Sequence, residues 1–358
     1  MRLKRSSVVV CALAVCGALF FAPAARARGK VAPRVNVRLV ADEAEAVLAV
    51  LSRRRAAQTI TDDDWRRVFA SEGYVRLKRR EHSMQREFED EDFKQFVLSD
   101  DLAARAPALA ETLERWRRAD VSRPAQLALR YLPAEAHITA KIYPVIKPRE
   151  NSFVFEVKTD PAIFLYLDPK VSRAKFENTL AHELHHIGYG TACPTRQTEE
   201  EIARLPENVR TVVTYLGAFG EGFAMLAAAG GADAHPHAVS DARDRARWDR
   251  DVANFGADLR KVEKFFLDIV AKRLTEAEID EQSSEFFGVQ GAWYTVGWKM
   301  CVVIEKTFGR RALIEAMCDQ RRLPATYNRA AAIYSRKHHE HLATWSDALV
   351  AAVSPTMK

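Results

Sequence analysis

Residues 172–190 read SRAKFENTLAHELHHIGYG, and the spacing inside this stretch sets how the chain on either side of it is read. His182 and His186 are four residues apart. At about 3.6 residues per helical turn they stack on one helix face, where both rings can grip a single metal ion. Glu183 directly follows the first of them and is placed to act as a base. Phe176, Leu180, Leu184 and Ile187 fall on the opposite side of the same wheel. A helix from Ser172 to Ile187 therefore has an apolar back for a core and a chemically loaded front.

Upstream of this helix the hydrophobic period is that of strands. Ile138, Ala140 and Ile142 alternate with Thr139, Lys141 and Tyr143; Phe153, Phe155 and Val157 alternate with Val154 and Glu156; Ile163 to Leu167 is a continuous apolar run. Pro144 to Asn151 reads as the turn between the first two. From Asn36 to Arg130 the pattern is helical and strongly charged, with a start at Asp62 to Asp64, since acids favour a helix N-terminus. Past Gly190 the spacing predicts helices over Glu199–Leu205, Val209–Ala229, Ser240–Leu274, Ala292–Phe308 and Arg311–Cys318, with Gly230 and Gly309 as C-terminal glycines. The expectation is an α+β fold of zincin type, mostly helical, with a small mixed sheet preceding the HExxH helix. It comprises a helical N-terminal region at 36–132 and a metallopeptidase-like domain at 133–352.

The first 27 residues read as an export signal: Arg2, Lys4 and Arg5, then an apolar run from Val8 to Ala22, then Ala25-Arg26-Ala27, with cleavage after Ala27. The expected location is periplasmic or secreted. A lipoprotein reading at Cys16 is weaker, because Val15 stands where a small residue belongs. No later stretch reads as a membrane span. The formal charge of +6 includes four unbalanced cations of the signal (Arg2, Lys4, Arg5, Arg26), and removing them leaves 50 basic against 48 acidic residues. Basic clusters such as Arg53-Arg54-Arg55 are interleaved with acids, so nucleic acid is not an expected partner. Cys11 and Cys16 leave with the signal; Cys193, Cys301 and Cys318 lack CxxC spacing, so one disulfide can form and its pairing cannot be read.

A catalytic zinc site with two histidines needs a third protein ligand and an open position for water. The candidates are Glu221, Cys193, His235 and His237. Glu221 is the only charge between Tyr215 and Ala229, and a carboxylate in so apolar a run needs a compensating partner. Gly220 and Gly222 flank it, each costing a helix roughly 1 kcal/mol relative to Ala, which close approach to a backbone or a metal would explain. The competing structural reading is a Glu221 salt bridge to a core Arg or a helix N-terminus. His235 and His237 flank Pro236 in a polar loop and are expected to face water. His185 projects to the side of the ligand pair, toward substrate or a carboxylate behind the ligands.

With these residues in place a family resemblance emerges. HELHHIGYG at 182–190, GEGFA at 220–224, YTVGWKM at 294–300 and IEKTFG at 304–309 resemble bacterial domain-of-unknown-function families of zinc-dependent, gluzincin-like peptidases. Asp64-Trp65, Phe93-Lys94 and Tyr131-Leu132-Pro133 extend the resemblance over most of the chain. It implies a metallopeptidase whose Glu ligand sits on a second helix. Thermolysin-like gluzincins carry an Asp four residues after that Glu, and Met225 stands there, so the group orienting a ligand histidine must come from elsewhere, Glu177 or Asn178 being the candidates. The metzincin extension is excluded, because Tyr189 and Ala192 replace its Gly and its His or Asp.

The chemistry expected is peptide hydrolysis by water activated on Zn2+ held by His182, His186 and Glu221, with Glu183 as general base and Tyr294 as donor to the oxyanion. A core role for Tyr294, with its hydroxyl at the rim, is the alternative. Two other readings share the motif: an amide deformylase with Cys193 as third ligand, and a non-catalytic secreted binding module or pseudoenzyme that keeps a metal for folding.

Overall fold

A computed structural model describes residues 34–355, so the expected export signal, with Cys11 and Cys16, lies outside the described residues. Among the described residues the chain is mostly helical around one four-stranded mixed sheet, an α+β architecture, and these residues belong to one compact unit. The strands are β1 (Val35–Leu39), β2 (Ile138–Val145), β3 (Phe153–Phe155) and β4 (Ala162–Tyr166), ordered β1-β2-β4-β3. β2 runs parallel to both neighbours, with Val35 opposite Ile138 and Lys141 opposite Ala162, while β3 runs antiparallel to β4.

Two of the sequence expectations for this sheet are corrected. Val35 to Leu39 is a strand, not part of the helical block expected from Asn36: Val35, Val37 and Leu39 alternate toward the core between Asn36 and Arg38, and the strand ties the N-terminal helices to β2. β2 also runs on through Pro144 and Val145, which had read as turn. Pro144 is tolerated because β1 makes its last ladder contact at Ile142, leaving one flank of the strand free where a proline can sit. β3 stops at Phe155, because Glu156 adopts a left-handed φ of 51°.

Six helices lie between Asp42 and Leu129 and reach both faces of the sheet: Leu77 packs with Tyr143, Val145 and Phe164, while Val47, Leu51 and Ala128 share a cluster with Ile138, Ile142 and Ile163. Asp62 to Asp64 does begin a helix, where Thr61 and Asp64 form a reciprocal capping box. On the C-terminal side the expected Ser240–Leu274 helix is two, Ala242–Ala253 and Phe255–Val270, separated at Asn254; Gly230 (φ 92°) and Gly309 (φ 82°) end helices as expected. The run Glu207–Ala229 is long and apolar enough to cross a membrane by length and composition, against the reading that none is; 67% of its most apolar window is buried inside the molecule, as a core helix is. Cys193 is bonded to Cys318, which fastens the end of the HELHH helix to the end of the Arg310–Cys318 helix; Cys301 is free and buried.

Candidate metal centre

The HELHH helix spans Arg173–Ala192, and Ser172 caps it by accepting the Lys175 N–H at 3.1 Å. Its back is as apolar as the wheel requires: Phe176, Leu180, Leu184 and Ile187 are all buried, with Phe176 packed on Trp116 at 4.6 Å between ring centroids. Gly188 sets how closely the helix meets the sheet region, because a Cβ there would lie 2.3 Å from Leu132 Cδ1 and 3.1 Å from Ile138 Cγ1. Tyr189, where a metzincin would have Gly, anchors the helix by donating to the Met317 carbonyl at 2.6 Å.

Glu221 lies in the first turn of the helix Gly220–Ala229, which packs against the helix Ala292–Phe308. The contact is backbone on backbone: a Cβ on Gly222 would sit 2.1 Å from Trp298 N and 2.4 Å from the Gly297 carbonyl carbon. Gly222 is thus the close approach inferred for this pair of glycines. Gly220 is not, since a Cβ there meets only Tyr189 Cε1 at 3.6 Å, an ordinary contact.

The three expected ligand side chains come together. His182 Nε2 and His186 Nε2 are 3.0 Å apart, and Glu221 Oε2 lies 3.2 and 3.1 Å from them. Zinc bonds of about 2.0–2.1 Å imply ligand atoms roughly 3.3 Å apart in a tetrahedron, so this donor set, two imidazoles and a carboxylate, fits the ion. Among the described residues these three form the only such group of histidine, cysteine and acidic side chains. The Glu221 carboxyl is pushed up by burial but pulled down further by His186 and His182, and it lies well below the usual carboxylate range. Burial lowers the His186 pKa while Glu221 and Glu183 outweigh it, so that it is raised to about 9. Two imidazoles and an ionised carboxylate converging on one point are a donor set that a divalent cation can take.

Glu183 is buried, which raises its pKa, while the two histidines lower it and Glu221 raises it. The Tyr294 ring lies 6.4 Å from that of His182 and nearly parallel to it, at 12°. Burial raises the pKa of its hydroxyl first, and the charges of Glu221 and Glu183 raise it further, so it remains a neutral donor.

The other candidates are engaged elsewhere. Cys193 is in its disulfide, which removes the thiolate a deformylase-like site would need. His235 Nε2 pairs with Asp249 at 2.9 Å. His237, expected to face water, is only 1% exposed and packs on Trp248. His185 turns away from the ligands into the core, edge-on to Phe223 at 4.6 Å. Glu177 pairs with Arg173 and Asn178 donates to the Ala228 carbonyl, so neither orients a ligand ring; His182 Nδ1 is buried without a partner among the described residues. Lys175 leaves the same helix face about two turns before His182.

No curated protein and no solved structure matches the chain. One family model does, over residues 62–333, and it spans the HELHH helix, the Glu221 helix and the Tyr294 helix together. With more than half of its length matched, the chain belongs to the family described as "Putative zinc dependent peptidase (DUF5700)".

Proposed function

We propose that this chain is an exported zinc metallopeptidase with a zincin-like catalytic domain, hydrolysing peptide bonds by attack of water. The observation that carries the reading is the convergence of His182 Nε2, His186 Nε2 and Glu221 Oε2 within 3.0–3.2 Å of one another on two helices whose packing fixes them. Zinc held by these three residues would lower the pKa of water toward about 7 and polarise the scissile carbonyl.

The chain's own groups carry the proton traffic. The Glu183 carboxylate takes a proton from the attacking water and returns it to the nitrogen of the leaving amine. The Tyr294 hydroxyl donates to the carbonyl oxygen as negative charge gathers there, a role suited to a phenol kept protonated by burial and by two nearby carboxylates. The family assignment supports zinc dependence and a peptide substrate. The amino-terminal sequence and the Cys193–Cys318 bond support an oxidising, extracytoplasmic location, either periplasmic or secreted.

Digestion of a peptide library by the purified protein tests the reading. Cleavage is expected for the zinc-loaded protein, loss of at least a hundredfold for Glu183→Gln with metal retained, and loss of both metal and cleavage for Glu221→Ala. Full turnover by Glu183→Gln would overturn the mechanism.

A further inference from the structure

Lys175 precedes His182 by seven residues, close to two full turns, so both side chains leave the same face of the Arg173–Ala192 helix about 10 Å apart along its axis. Lys175 is half-buried, and a partly desolvated ammonium ordinarily rests against a carboxylate. Here its hydrogen bond runs instead to the neutral Ser240 Oγ at 3.0 Å, and no ion pair to it is found among the described residues. An ammonium has three N–H donors to place.

The acids whose fields reach Lys175 are held by other groups. Asp241 caps the Ala242–Ala253 helix by accepting the Asp244 N–H at 2.8 Å, and Asp244 pairs with Arg247 at 3.0 Å. Burial lowers the Lys175 pKa, and those two acids only partly offset it. On the far side of Ser240 stands His237 Nδ1, at 2.9 Å, and the buried His237 Nε2 has no partner among the described residues. Burial, and after it the Lys175 charge, pushes the His237 pKa down to about 4, so the ring is neutral at neutral pH and adds no competing cation.

Aromatic side chains connect this group to the metal ligands through the interior, where Trp248 and His237 are only 2% and 1% exposed. Tyr294 lies beside His182, Trp298 follows one turn along the same helix, Trp248 is 5.7 Å from Trp298, and His237 is 5.1 Å from Trp248. A half-buried ammonium whose side-chain hydrogen bond is to a neutral hydroxyl, on the helix face that carries His182, suits a substrate anion rather than a surface role.

We propose that Lys175, steadied by Ser240, forms a subsite for a carboxylate of the peptide bound at the metal centre. The span of about 10 Å along the axis corresponds to about three extended residues at about 3.3 Å each. The carboxylate is either the C-terminus of the substrate or an acidic side chain within about three residues of the scissile bond. This subsite deepens the metallopeptidase reading and rests on it.

Calorimetric titration of the zinc-free protein separates the subsite from catalysis and from carboxylate binding to metal. Three probes suffice: acetyl-Ala-Gln amide with no carboxylate, acetyl-Ala-Gln acid with only the C-terminal one, and acetyl-Ala-Glu amide with only the side-chain one. One carboxylated probe is expected to bind at least tenfold tighter than the neutral amide, and which one it is names the source. Lys175→Met should erase the preference, Lys175→Arg should keep most of it, and Ser240→Ala should reduce it severalfold even if Lys175→Met fails to fold. Equal binding of all three probes to the unaltered protein, or a preference that survives Lys175→Met, overturns the subsite. A protein that shows the preference yet cleaves no peptide when zinc-loaded keeps the subsite and refutes the hydrolase; cleavage without the preference does the reverse.

Discussion

Gly222 offers the sharpest structural test, because one methyl group there works against the metal centre through backbone alone. A Cβ at Gly222 would lie 2.1 Å from Trp298 N, 2.4 Å from the Gly297 carbonyl carbon and 2.5 Å from the Tyr294 carbonyl oxygen. Ordinary contact needs more than 1 Å beyond the shortest of these. All three neighbours are helix backbone, which no rotamer change can move aside, so Gly222→Ala must push the Gly220–Ala229 and Ala292–Phe308 helices apart. Overpacking costs typically about 1–3 kcal/mol and the gain in helix propensity returns roughly 1, so a clash this close should leave a net loss of about 2 kcal/mol. For a chain of this size that is a melting temperature lower by roughly 3 °C. Glu221 is the preceding residue, so zinc affinity should fall with it. Gly220→Ala is the internal control: its Cβ meets one atom at 3.6 Å, and it should be neutral or stabilising by up to about 1 kcal/mol. Paired thermal melts and zinc titrations of the two variants decide the matter. If Gly222→Ala melts at or above the unaltered protein and binds zinc equally well, the helix contact does not fix the site as argued.

Glu43 is buried, and burial raises its pKa to about 8 despite the Ile146 N–H it accepts at 3.1 Å. Its folded pKa thus exceeds the ordinary carboxyl value of 4.5, the folded state binds the extra proton between those values, and stability should fall as pH rises from about 5 to 8; chemical denaturation should show Glu43→Gln flattening this slope and gaining roughly 2–5 kcal/mol at pH 8. Cys193→Ser opens a bond that closes a separation of 125 residues, so a loss of roughly 2–5 kcal/mol is expected in denaturant melts, with Cys318→Ser matching it and the double variant adding little. Tyr294→Phe should lower kcat by roughly a hundredfold with KM little changed, as removal of an oxyanion donor does; a change confined to KM would return Tyr294 to a packing role.

The parts of the molecule legible in the sequence were those whose signal is local. Stacked histidines with an apolar stripe behind them specify both a helix and its orientation, and a lone carboxylate in the apolar run from Tyr215 to Ala229 announced that Glu221 meets a partner. The Phe153 and Ile163 strands were legible because period-two and continuous apolar runs leave little choice. β1 was not, since five residues between charged segments carry too few alternations to stand out against a helical neighbourhood. The break at Asn254 passed unseen because the apolar spacing continues almost undisturbed on both sides, and the helices Leu323–His338 and Asp347–Val353 lack a strong apolar stripe. Pairing of Cys193 with Cys318, the burial of His237 and the approach of Ser240 to Lys175 depend on contacts between distant segments, which no spacing encodes.

X-ray absorption at the zinc edge of the reconstituted protein tests the central claim most directly. The account predicts one zinc per chain with two imidazole nitrogens and light oxygen neighbours at about 2.0–2.1 Å, and no imidazole-bound zinc in Glu221→Ala. A sulfur neighbour at about 2.3 Å, or a spectrum unchanged by loss of the Glu221 carboxylate, would contradict it.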